Sequence, residues 1–170
     1  MATVDDVRAI AMSLPRTSEH LIRDHVKFRV GRIVYASVSP DEERLGFGFP
    51  REERAALVAS RPETFMMPLP SDERYQWVRA RLAALDVDEL RELLVDAWCM
   101  CVPKKVAASY QLVDVVMQIE NGRVLQAAVS NHKSGMDGYE SMALRIARQR
   151  RYSATTTGQE TIRIKVGQAN

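Results

Sequence analysis

A chain of 170 residues, 46% apolar and 27% charged, is long enough to bury a core and is ordinary for one soluble globular domain. No apolar run approaches the roughly 18 residues of a membrane span. Acids stand in "MATVDDVRAIAMSL" where a signal peptide needs basic charge, so with two cysteines a reducing cytoplasm is the expected compartment. Net charge is +2 but uneven: residues 1–110 hold 16 Lys+Arg against 17 Asp+Glu, and residues 111–170 hold 8 against 5. The first part has no basic excess, so only a basic face could serve a nucleic acid there.

The first helix reads "TVDDVRAIAMSL", with Thr3 and Asp6 as a capping box and Val4, Val7, Ile10, Ala11 and Leu14 on one side. Pro15 stops it, and "RTSEHLIRD" reads as a connector. In "HVKFRVGRIVYASV", Val26, Phe28 and Val30 alternate with Lys27 and Arg29, and Gly31-Arg32 fits a two-residue hairpin turn. "PDEER" turns into "LGFGF", which completes a three-stranded meander. Pro50 suits the first turn of a helix through "REERAALVAS", followed by a short extended "TFMMPL" and a loop "PSDERY". "WVRARL" is a strand with Val78, Ala80 and Leu82 on one face and Trp77, Arg79 and Arg81 on the other. A helix from about Val87 to Cys101 carries Leu90, Leu93, Leu94, Ala97, Trp98 and Cys101 as a core-facing stripe, capped by Asp86 with Glu89. Pro103 breaks it and "KKVAASY" makes a short final turn.

After about Tyr110 the texture changes. "VDVVMQIENGRVLQAAV" reads as a hairpin around Asn121-Gly122, "SNHKSGMDGYES" as a loop and "MALRIARQRR" as a short basic helix. "YSATTTGQE" is polar, and "TIRIKV" alternates like an edge strand. The expected organisation is a domain at 1–110 and a basic extension at 111–170, a hairpin with a flexible tail.

Cys99 and Cys101 offer the most chemistry, yet they point to opposite sides of the helix, with Cys101 about 20° from Leu90 around it. They can neither close a disulfide nor share a tetrahedral metal without unwinding the turn. They sit at a helix C-terminus, where the dipole does not favour a thiolate. Cys101 is therefore expected as core filler and Cys99 as incidental. His20 and His25 are five apart, poor spacing for a metal pair, and His132 has no evident partner. No metal, cofactor or catalytic constellation is assigned, and the protein is expected not to be an enzyme.

A basic face is the stronger candidate. Lys27 and Arg29 share one side of the hairpin, facing Ala36 and Val34 across it, with Arg32 at the tip; Arg79 and Arg81 share one side of another strand. Gly46 and Gly48 are expected bare opposite Leu45 and Phe47, leaving a flat strip beside the cations that suits a phosphate chain. A sheet with one wet face needs polar residues there in any case, which is the competing reading.

The order of "LPRTSEHLIRDHVKFRVGRIVYASV", "FPREERAALVASRPETF" and "RYQWVRARLAALDVDELRELLVDAWCMCVPKKVAA" resembles the MmcQ/YjbR family over residues 3–110. The resemblance rests on Phe28–Gly31, Arg61-Pro62-Glu63 before Phe65, Trp77-Val78, and Trp98 followed by Pro103-Lys104. It implies an α+β fold, a cyclic arrangement of helices with an antiparallel sheet packed against them, similar to the double-wing DNA-binding domain of a phage transcription activator. It implies DNA binding by that analogy and brings no catalytic residues. The chain departs from the family's habit in Ala97, where Ser often precedes the Trp, and in Cys99, where a basic residue often follows it.

The resulting expectation is DNA binding through Lys27, Arg29, Arg32, Arg79 and Arg81, with Lys104 and Lys105 as outlying contributors. The alternative is a small-molecule module whose pocket between sheet and helices is lined by Phe47, Met66, Met67, Tyr75 and Trp77.

Overall fold

Helix α1 (Val4–Ser13) starts at the cap the sequence places there: Thr3 Oγ1 accepts the Asp6 N–H at 3.3 Å, and Asp6 accepts the Thr3 N–H at 2.8 Å. Val7, Ile10, Ala11 and Leu14 are buried along its inner side. The computed structural model describes residues 1–110, 112–132 and 137–166. The chain forms two units, 1–103 and 104–170.

The strands of the first unit are β1 (Thr17–Ile22), β2 (His25–Val30), β3 (Ile33–Val38), β4 (Arg44–Gly48), β5 (Phe65–Met66) and β6 (Trp77–Arg81). They form one antiparallel sheet in the order β1-β2-β3-β4-β6-β5. Strand β1 corrects the connector read from the sequence. It is an edge strand whose residues are mostly half-buried, so no two-residue alternation marks it. Its turn into β2 uses Arg23 and Asp24 at φ 51° and 62°, the left-handed pair that Asn-Gly usually signals.

Two cross-strand rows face the core: Phe28, Ala36, Phe47 and Val78, then Val38, Leu45, Ala80 and Phe65. All eight are at most 1% exposed. Helix α2 (Arg54–Ser60) begins later than Pro50 promised, because Arg51–Glu53 form a turn in which the Glu53 N–H bonds Pro50 O at 3.1 Å. Arg61, just past α2, pairs with Glu89 and lies over the Phe65 ring at 5.2 Å. The Arg-Pro-Glu motif thus fastens α2 to helix α3 (Val87–Cys99).

Asp86 caps α3, and Leu90, Leu94, Ala97 and Trp98 are fully buried, as their spacing predicts, while Leu93, at the side of the stripe, is only half-buried. Trp98 Nε1 donates to Pro15 O at 2.8 Å, which pins the end of α3 to the segment after α1. The helix stops at Cys99, so Cys101 lies in the following turn and is half-buried instead of filling the core.

The second unit contains α4 (Lys104–Tyr110), β7 (Leu112–Glu120), β8 (Arg123–Val129), α5 (Asp137–Gln149) and β9 (Gly158–Lys165). Its antiparallel sheet has the order β8-β7-β9, with β9 at the edge its alternation predicts. Asn121 and Gly122, at φ 49° and 78°, make the predicted hairpin turn. A Cβ on Gly122 would come within 2.6 Å of Tyr152 O, so the position needs glycine twice over. Val113, Val115, Met117 and Ile119 alternate into the core. Helix α5 starts five residues before the basic stretch read as its beginning, because Tyr139, Ala143 and Ala147 form a buried i, i+4, i+8 stripe. Part of the loop expected before it, residues 133–136, lies outside the described residues. No helix among the described residues is long and apolar enough to cross a membrane.

Candidate functional site

The pairings of the first sheet place His20, Lys27, Ser37, Gly46, Arg79 and Met66 in one row across all six strands. Directly paired residues share a face, so Lys27 and Arg79 do so, three strand spacings or about 14 Å apart. A bulge between Phe28 and Arg29 shifts the hairpin register, so Lys27 faces Ser37 and not the expected Ala36, while Arg29 still faces Val34. Arg29 is half-buried, and its Nε is buried without a hydrogen-bond partner. Arg32 stands exposed at the hairpin tip. Lys104 and Lys105 are exposed on α4 of the second unit, outside this sheet.

The flat glycine strip does not exist. The Trp77 indole covers Gly46 so closely that a Cβ there would lie 2.7 Å from Nε1. At Gly48 a Cβ would meet the Ala97 Cβ of α3 at 3.5 Å. Both glycines make room for side chains of the protein itself, which period-two alternation could not reveal.

What the sequence missed is Arg44. Read as part of a solvated turn, it opens β4 directly opposite Arg81. Arg44, Arg79 and Arg81 line one surface cleft of about 740 Å³, with Glu42 and Glu43 on the same wall and Thr3 at the start of α1. Arg79 Nε donates to Met67 O at 3.0 Å, and Arg81 donates to Pro62 O and Glu63 O at 3.1 and 2.8 Å. Carbonyls fix these side chains without cancelling their charge. Arg44 is instead paired with Asp41 at 3.1 Å. Burial first, then the like charge of Arg44, pushes the Arg79 pKa below its ordinary value, although a guanidinium stays protonated at any physiological pH. Like charges set opposite one another are destabilising and make the cleft attractive to an anion.

Of the five residues expected to line an apolar pocket, Phe47 is sealed in the core, Met67 and Tyr75 are exposed, Trp77 lies on Gly46, and Met66 lines the open arginine cleft.

Neither cysteine is disposed to react. Burial, aided at Cys99 by Asp96, raises the Cys99 thiol to about 11, and burial raises Cys101 as well. His20 bonds the Ser18 hydroxyl and His25 the Arg23 carbonyl. His132, which had no evident partner in the sequence, contacts Glu140 at 2.7 Å. With Asp137 it forms the one group of possible metal ligands among the described residues, their ligand atoms within 4.8 Å of one another. The signal in the sequence was the Asp-x-x-Glu spacing on a helix, hidden because α5 was begun too late.

A family model described as YjbR matches residues 12–100. The chain is 33% identical over 128 residues to uncharacterized proteins of Mycobacterium tuberculosis, Rv2570, and of Mycobacterium bovis, Mb2600, covering 65% of this chain and 96% of each relative. Its fold is similar to the crystal structure of Deinococcus radiodurans protein DR2400, which carries the family-model domain DUF419. There the TM-score is 0.54 at 24% identity, over 62% of this chain and 82% of that one.

Proposed function

The chain belongs to the YjbR family, and from that premise we propose that its first unit is a non-enzymatic, cytoplasmic DNA-binding module of double-wing type. It contacts the phosphate backbone with Lys27, Arg29, Arg32, Arg79 and Arg81; Lys104 and Lys105 belong to the second unit and are not counted in this face. The observation that carries this reading is the tethering of Arg79 and Arg81 to neutral carbonyl oxygens. They keep their full charge on the face they share with Lys27. Two groups of cations about 14 Å apart match a ligand that offers phosphates on both sides of a groove about 12 Å wide. Phosphate contacts position a protein on DNA without reading its sequence, and no residue of this face is assigned to base recognition.

Fluorescence anisotropy on a duplex tests the reading. Five phosphate contacts give a log–log salt slope of about −4.5, or roughly a 500-fold loss of affinity between about 50 and 200 mM salt. The Arg79→Ala/Arg81→Ala variant should weaken binding roughly 10- to 100-fold and flatten the slope by about 2. No binding at low salt, or an unchanged slope in the variant, sinks the proposal.

A further inference from the structure

The cleft around Arg44 differs from the rest of the basic face. Three arginines share it with two glutamates, Glu42 and Glu43, and Arg44 is further paired with Asp41, so carboxylates balance much of the arginine charge there. Those carboxylates oppose every negative charge brought in, so a head carrying one charge is opposed less than a head carrying several. Beside Thr3 the lining has an apolar part, to which the half-buried Val4 and Met66 contribute. At about 740 Å³ the cleft has the volume of a small-molecule site.

The two central guanidiniums are also preorganised. Arg79 is anchored through Nε, and its terminal nitrogens make no hydrogen bond among the described residues. Arg81 is anchored through one terminal nitrogen on two carbonyls. Anchoring of this kind removes rotamer entropy before a ligand arrives. It also leaves planar N–H forks of the shape that binds a carboxylate with two parallel hydrogen bonds.

We infer that this cleft is a binding site for a small organic monocarboxylate, its carboxylate on Arg79, Arg81 and Arg44 and its apolar body against Val4 and Met66. The inference shares two arginines with the DNA reading but does not rest on it. Occupancy would neutralise charge at one end of the basic face, so carboxylate and DNA would compete.

Calorimetric titration of the full chain with octanoate, acetate, octanol and inorganic phosphate tests it. Octanoate is expected to bind with a dissociation constant of about 1 mM or tighter. Acetate, which lacks the body, and octanol, which lacks the charge, should each bind at least roughly tenfold more weakly. Arg79→Gln should lose roughly tenfold in octanoate affinity. Arg44→Gln, at an exposed position, serves if Arg79→Gln does not fold. Lys27→Ala should weaken duplex binding and leave octanoate binding unchanged, so failure of the DNA reading and failure of this one are separable. Three results overturn the inference: no octanoate binding, octanoate binding unaffected by both arginine variants, or phosphate binding in preference to octanoate.

Discussion

In the first unit Arg79 and Arg81 are held by the carbonyls of Met67, Pro62 and Glu63, whereas in the second Arg163 is held by both oxygens of Asp114 at 2.7 and 3.1 Å. Each guanidinium is fixed in place. A carbonyl dipole fixes geometry and leaves the charge available, while a carboxylate fixes geometry and cancels it. The tail beyond residue 110 carries the larger basic excess in sequence, and the Arg163–Asp114 pair leaves that excess unchanged while removing Arg163 from the charges free to meet a ligand. Net charge therefore does not say which arginines are available, and the acceptor of each arginine does.

Arg54 is the limiting case of the carbonyl-held class and gives the largest expected effect. It is 6% exposed and donates to Glu73 O at 2.8 Å and Tyr75 O at 2.9 Å. Arg54→Ala should destabilise the first unit by about 2–4 kcal/mol, since buried acceptors lose a charged donor. Both tryptophans, Trp77 and Trp98, lie in that unit, so a urea transition followed by their fluorescence reads it directly. An unchanged midpoint would mean that carbonyl tethers hold nothing in place.

Arg163→Ala probes the carboxylate-held class. Its side chain is 64% exposed, and the loss should stay below about 1 kcal/mol. Because its charge is already paired, duplex affinity should fall far less than in Arg79→Ala/Arg81→Ala. An equal fall would abolish the distinction between the two classes.

The smallest effect is a pH dependence in the second unit. The hydrogen bond to Glu140, then its charge, raises the His132 pKa above the ordinary 6.5. A raised folded-state value means the contribution is fully present below pH 6.5 and fades as pH climbs through the folded pKa. Thermal melts between about pH 5.5 and 8.5 should show His132→Ala losing stability relative to the parent only at the acidic end. A difference confined to the alkaline end would reverse the assignment.

Legibility followed burial. Helices α1 and α3 and strands β2, β3, β4 and β6 could be read because each carries one wet and one dry side, and that contrast prints a period on the chain. Strand β1 printed none, since its residues stand half-covered at an edge. The start of α5 was obscured because its buried stripe is Tyr139, Ala143 and Ala147, two of them too small to announce a core. Within the site, Arg79 and Arg81 were readable as sharing a strand face, whereas Arg44 was not, because its importance comes from a strand that lies 37 residues further along the chain.

By itself the sequence determined the caps, the hairpins at Gly31 and Asn121-Gly122, the inward rows and the family, because each depends on neighbours a few residues apart. Only tertiary structure decided that Trp77 covers Gly46, that Arg44 meets Arg81, and that carbonyls rather than carboxylates receive Arg79 and Arg81. Those outcomes depend on the register between strands distant in the chain. A one-residue slip would turn every side chain to the other face, and no local pattern encodes which register is adopted.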